Sequence, residues 1–149
     1  PGAAVKLLGV HINRELRWKD QDAPVVAKGH SWLAQFAWLA RASRAIRAKN
    51  MRRLYLGIAV SRMLYAAAVF LKAPGHSILS QGKQREKAVV KKLHTIQQRA
   101  ALAITGVLPS TPTELLDVFA NLLLVEHFIK KVRYGAATWI ATLPKSHPL

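Results

Sequence analysis

The chain has 149 residues, with 23 Lys and Arg against 7 Asp and Glu, a formal net charge of +16 and no cysteine. That length allows one ordinary domain, and 51% hydrophobic residues are enough to bury a core, which argues against a disordered basic tail. The missing cysteines exclude a disulfide scaffold, a thiolate zinc site and a cysteine nucleophile, while the charge excess points to nucleic acid or an anionic surface as partner.

Val5 to Ile12 is rich in β-formers and reads as a strand, with a turn at Asn13-Arg14-Glu15 and a return strand at Leu16-Arg17-Trp18. Gly9 inside the first strand suggests close approach by another backbone or a ligand. Asp20 and Asp22 offer a capping carboxylate and Pro24 a first-turn proline, so a helix is expected from about Ala23 to Arg47. Val25, Gly29, Trp32, Phe36, Leu39 and Ile46 share one face of it, and Ser31, Gln35, Trp38, Arg41 and, if the helix continues that far, Lys49 the other. A second helix, about Met51 to Lys72, is apolar nearly all round and ends at Pro74-Gly75.

The stretch Leu54 to Ala73 within it has the length of a membrane span, but Arg62 at its centre would cost a few kcal/mol there. The preferred reading is a buried central helix, with Ile58 and Tyr65 in the core and Arg62 extending its stem to the surface. After a polar loop, a third helix runs from about Gln84 to Ile104. Val89, Leu93, Ile96, Ala100 and Ile104 form its apolar stripe, and Lys87, Lys91, His94 and Gln98 line the far side. Thr111, Pro112 and Glu114 form a predicted capping box for a short helix, Leu115 to Leu123, followed by a longer one, Val125 to Leu143. The expected fold is mainly α: a short N-terminal β-hairpin followed by a bundle of about five helices.

No chemistry-bearing constellation emerges. The carboxylates do not pair for metal or acid–base work, the six histidines lack metal-ligand spacing, and the glycines form no phosphate loop. No catalytic residue, metal or cofactor is therefore assigned. The positive signal is basic: Arg41, Arg44, Arg47, Lys49, Arg52 and Arg53 in one run, and Lys83, Arg85, Lys87, Lys91, Lys92 and Arg99 in another. Two such runs on adjacent helices can track a phosphate backbone. Trp38, on the polar side of its helix near Arg41, offers a ring for stacking on a base or for a neighbouring domain.

The order of several segments is also specific: Val5-Lys6-Leu7-Leu8-Gly9-Val10, Leu16-Arg17-Trp18, Arg62-Met63-Leu64-Tyr65-Ala66-Ala67-Ala68-Val69-Phe70, Ile96 to Gly106, Thr111-Pro112 and Leu122 to Glu126. In that order they resemble the C-terminal part of reverse transcriptases of LINE-type (non-LTR) retrotransposons, over nearly the whole chain. The resemblance implies that Lys6, Leu8 and Gly9 correspond to the primer grip and the basic helices to the thumb. It makes residues 1–19 the end of a palm and 20–149 a thumb and connection domain. On this resemblance the catalytic palm would precede Pro1, and the chain itself is not expected to be an enzyme. Its implied partners are a template–primer duplex, gripped without regard to sequence, and that palm. Its implied location is the nucleus. Leu7, Ala68, Pro109 and Leu124 depart from the family's aromatic, Glu, Arg and Pro. The alternatives are a free-standing basic RNA- or DNA-binding helical protein and a single-span membrane protein through 54–73.

Overall fold

The computed structural model describes residues 5–13, 18–42, 46–71 and 80–144. It is mainly helical behind a two-stranded hairpin. Strands β1 (Val5–Leu7) and β2 (Val10–Ile12) pair antiparallel, with Lys6 opposite His11. The helices are α1 (Lys19–Ala42), α2 (Ala48–Leu54), a π-helical turn (Tyr55–Val60), α3 (Ser61–Met63), α4 (Ala67–Phe70), α5 (Ser80–Thr105), α6 (Thr113–Phe119) and α7 (Val125–Ala141).

The hairpin differs from its expected form. Both strands lie inside the segment read as one strand, and the turn is Leu8-Gly9, with φ of 48° and 83°. Positive φ at both central residues gives the strand twist that a two-residue hairpin needs, and Gly9 supplies one of the two at no steric cost. Gly9 thus serves the turn rather than the interior of a strand. The expected return strand at Leu16-Arg17 lies outside the described residues, and Trp18 stands in the turn before α1.

α1 and α5 carry the body of the fold. The expected apolar stripe of α5 is wholly buried, and Val25, Trp32 and Phe36 of α1 pack into the same core. Trp32, Phe36 and Tyr55 form an aromatic cluster, with ring centroids 4.8 Å apart for Trp32–Phe36 and 6.4 Å for the other two pairs. Such rings combine large buried area with a specific packing geometry. α1 begins four residues earlier than expected, which puts Pro24 in its second turn. Asp22 does not cap. It accepts two hydrogen bonds from Arg85, at 2.5 Å from Nε and 2.7 Å from Nη2, and so ties the start of α1 to α5.

The second expected helix is not continuous. Met51, Tyr55, Ala59, Met63 and Ala67 are buried at a strict spacing of four. In an α-helix each such step drifts about 40° around the axis. A π-helical turn, with more residues per turn, reverses that drift between Tyr55 and Val60, and keeps the stripe on the core. Leu64 to Ala66 then break the helix, with Ala66 at φ 58°. The break turns Tyr65 outward, and Ile58, one residue off the buried stripe, is part-exposed, so both differ from the expected core positions, while Arg62 does reach the surface. Tyr55 is the buried tyrosine. No helix among the described residues is long and apolar enough to cross a membrane.

Gly29 marks the closest approach. A Cβ there would lie 2.7 Å from Ile96 Cδ1 and 2.9 Å from Met63 Sδ. Ile96 Cδ1 is the end of its side chain, and Met63 Sδ lies one atom from the end of a flexible one. Gly29→Ala is therefore expected to be nearly neutral, because a gain of about 1 kcal/mol in helix propensity offsets the side-chain shifts. Gly29→Leu is expected to cost about 3 kcal/mol through overpacking. Urea unfolding of the two variants checks this, and a tolerated leucine would contradict the close approach.

Candidate nucleic-acid interface

Hydrogen bonds fasten the hairpin to the helical body. The His11 backbone N–H donates to Gln21 Oε1 on α1 at 2.8 Å. The Tyr65 hydroxyl donates to the Leu8 carbonyl oxygen at 3.0 Å, across 57 residues. Leu8 is 83% exposed at the tip, and Lys6 is exposed on β1. A leucine held at positive φ in open solvent is an unfavourable local choice of the kind that the surrounding structure must impose.

The first basic run divides. The Arg41 side chain and all of Arg44 lie outside the described residues. Arg47, at the N-terminal boundary of α2, and Lys49 and Arg53 within it are exposed. Arg52 is half-buried, and its Nε donates to the Asn121 carbonyl oxygen at 2.7 Å, bracing α2 against the chain just after α6. Trp38 is 68% exposed on α1.

The second run divides similarly. Lys83 lies outside the described side chains, and Arg85 is taken by Asp22. Lys87, Lys91, Lys92 and Arg99 are exposed on α5. Lys87 and Lys91 stand one turn apart, and Lys92 and Arg99 two turns apart, on the face turned away from the core. α2 packs on α5, so the exposed cations of both runs belong to one packed unit.

His94 and Gln98 are only partly open to solvent, less than the α5 pattern suggested, because α6 packs beside them. Gln98 Nε2 donates to Thr113 Oγ1 at 2.9 Å and meets His94 Nδ1 at 3.3 Å. Beneath them Gln97 is fully buried. Its Nε2 donates to Asp117 Oδ1 and to the Leu123 carbonyl oxygen, both at 2.9 Å, while its Oε1 accepts a long 3.5 Å bond from the Tyr55 hydroxyl. Asp117 is buried too, with Oδ2 3.8 Å from His94 Nε2. The expected capping box does not form: α6 starts after Pro112 with no side-chain cap, and Leu115 and Leu116 donate to the Pro112 carbonyl instead. Polar side chains of α5, rather than a cap, hold α6 in place.

The described residues contain no cluster of three or more His, Cys, Asp or Glu that could hold a metal ion. What the structure offers is charge: exposed cations on α2 and α5 over a body that buries Asp117 and pairs Asp22 with Arg85. A contrast missed in the element-by-element sequence reading completes this picture. Residues 100–129 contain no Lys or Arg, but hold Glu114, Asp117 and Glu126. The signal was legible as a gap in the charge pattern. Comparison with protein families, with curated proteins and with solved structures finds no match to this chain.

Burial, and secondarily the Asp117 charge, push the Tyr55 hydroxyl well above the usual tyrosine value of 10.0. The folded state therefore holds this proton while the unfolded chain loses it above about pH 10, so the contribution is intact below that pH and falls away above it. Tyr55→Phe is expected to flatten the alkaline loss of helical circular dichroism, and to change stability near pH 7 by less than about 1 kcal/mol, given the long bond. An unchanged alkaline profile in the phenylalanine variant would contradict the burial of this hydroxyl.

Proposed function

We propose that the protein grips duplex nucleic acid through its phosphate backbone, as the thumb of a LINE-type reverse transcriptase grips template–primer. The observation that carries this reading is the set of exposed cations, Arg47, Lys49, Arg53, Lys87, Lys91 and Lys92, on two helices packed together. Lys and Arg on a rigid surface neutralise phosphates and release counterions, which supplies affinity without reading bases. Two further features support it. Trp38 presents an exposed ring on α1, the helix that precedes the α2 cations. The tip Lys6-Leu7-Leu8-Gly9, matched to the primer grip by its sequence, projects as a braced hairpin whose leucine is open to a partner. In this proposal the hairpin meets the primer strand and the cationic helices follow the duplex. The chain contributes positioning to a polymerase whose chemistry resides in a palm.

The test is charge reversal at exposed positions. Changing Arg47, Lys49 and Arg53 together to Glu is expected to weaken binding to duplexes of unrelated sequence alike, by about tenfold or more at moderate salt. Lys130→Glu with Lys131→Glu, on α7, is the control and is expected to do less. Mobility-shift titrations measure both. Equal losses in the two variants would assign the affinity to net charge alone, and a loss confined to one sequence would contradict backbone recognition.

A further inference from the structure

Helix α6 is apolar on both sides. Leu116 and Ala120 face the core, while Leu115, Val118 and Phe119, at i, i+3 and i+4, are 47%, 71% and 61% exposed on the opposite side. Leu123 and Leu124 follow directly and are also exposed. A helix hydrophobic all round belongs in an interior, and one left with a bare apolar face marks an interaction site. This helix is not loose: Gln98, Gln97 and Arg52 fix its start, its inner face and the chain just beyond it.

We infer that this outer face of α6 is a self-association surface, on which a second copy of the chain packs about a two-fold axis. Charge selects the occupant. Two copies, each carrying +16, repel at most contacts, but residues 100–129, the longest stretch of the chain with no Lys or Arg, let two bodies meet without opposing cations. Trp139 and Ile140 of α7 are exposed as well, but that helix carries Lys130, Lys131 and Arg133. The ends of α6 are also complementary. Glu114 sits in its first turn, and Arg52 is hydrogen-bonded to Asn121 just past its last. Antiparallel pairing of two α6 helices sets Glu114 of each copy toward Arg52 of the other, twice over by symmetry. The apolar area is a few hundred Å² on each copy, below the roughly 800 Å² per partner of a standard stable interface. The dimer is accordingly expected to be weak and its formation concentration-dependent.

Sedimentation velocity of the full chain, from low to high micromolar concentration, tests this. The expected result is a reversible monomer–dimer equilibrium that stops at two copies. Val118→Glu, at a solvent-exposed site, is expected to weaken association about tenfold or more with unchanged helical circular dichroism, and Trp139→Glu to leave it unchanged. A charge exchange provides the second arm. Glu114→Arg alone and Arg52→Glu alone each oppose like charges twice and lose the dimer, whereas a mixture of the two variants opposes unlike charges twice and recovers it. A monomer at every concentration, growth beyond two copies, equal losses from Val118→Glu and Trp139→Glu, or a mixture that does not recover would each overturn the proposal.

Discussion

The constraint on which this structure depends is the placement of 23 cations beside only 7 carboxylates. Burying a charge costs several kcal/mol unless it is paired, and with so few acids few cations can be brought inward. The fold spends its carboxylates sparingly. Asp22 draws Arg85 into the seam between α1 and α5, and Asp117 goes inside, held by Gln97 and faced by His94. Arg52 keeps its charge but is held differently, by a hydrogen bond to a backbone carbonyl. The remaining described cations of the two basic runs stand in solvent, which is the arrangement that the proposed grip on phosphate requires.

The interior polar groups give the molecule its sidedness. The amide of Gln97 uses its donors on α6 and on the chain after it, and its acceptor on Tyr55, so the π-helical turn, α5 and α6 meet at one buried side chain. An amide with both donors engaged in a dry site specifies geometry as well as stability, because an alternative packing leaves one of them unpaired. That geometry lays the cation-free stretch over one side of α5 while Lys91, Lys92 and Arg99 remain open on another. A proposed nucleic-acid surface and a proposed protein surface can therefore coexist on one small fold.

Much of this organisation was legible in the sequence. The stripes of α1 and α5 repeat at helical period, and Val25, Trp32, Phe36, Val89, Leu93 and Ile96 are buried as that period requires. The solvent-facing lysines of α5 follow from the same periodicity. The segment after Met51 was harder to read because its buried residues recur every four, a spacing no single helix type sustains, so a π-helical turn and the break at Ala66 do not show in the pattern. The hairpin turn was hidden because leucine is a poor choice at positive φ, and the Tyr65 hydroxyl bonded to Leu8 is 57 residues away. Arg52 and Arg85 looked like phosphate ligands for a related reason. Their partners, Asn121 and Asp22, lie 69 and 63 residues off, beyond any local pattern.

The most direct test of the central claim is the salt dependence of duplex binding, measured on several duplexes of different sequence. Six exposed cations engaged with phosphates predict that log K falls linearly with log salt at a slope of about −5, with the same slope and similar affinity for every sequence. A flat salt dependence, or an affinity that follows base sequence while ignoring salt, would contradict a surface built to hold phosphate.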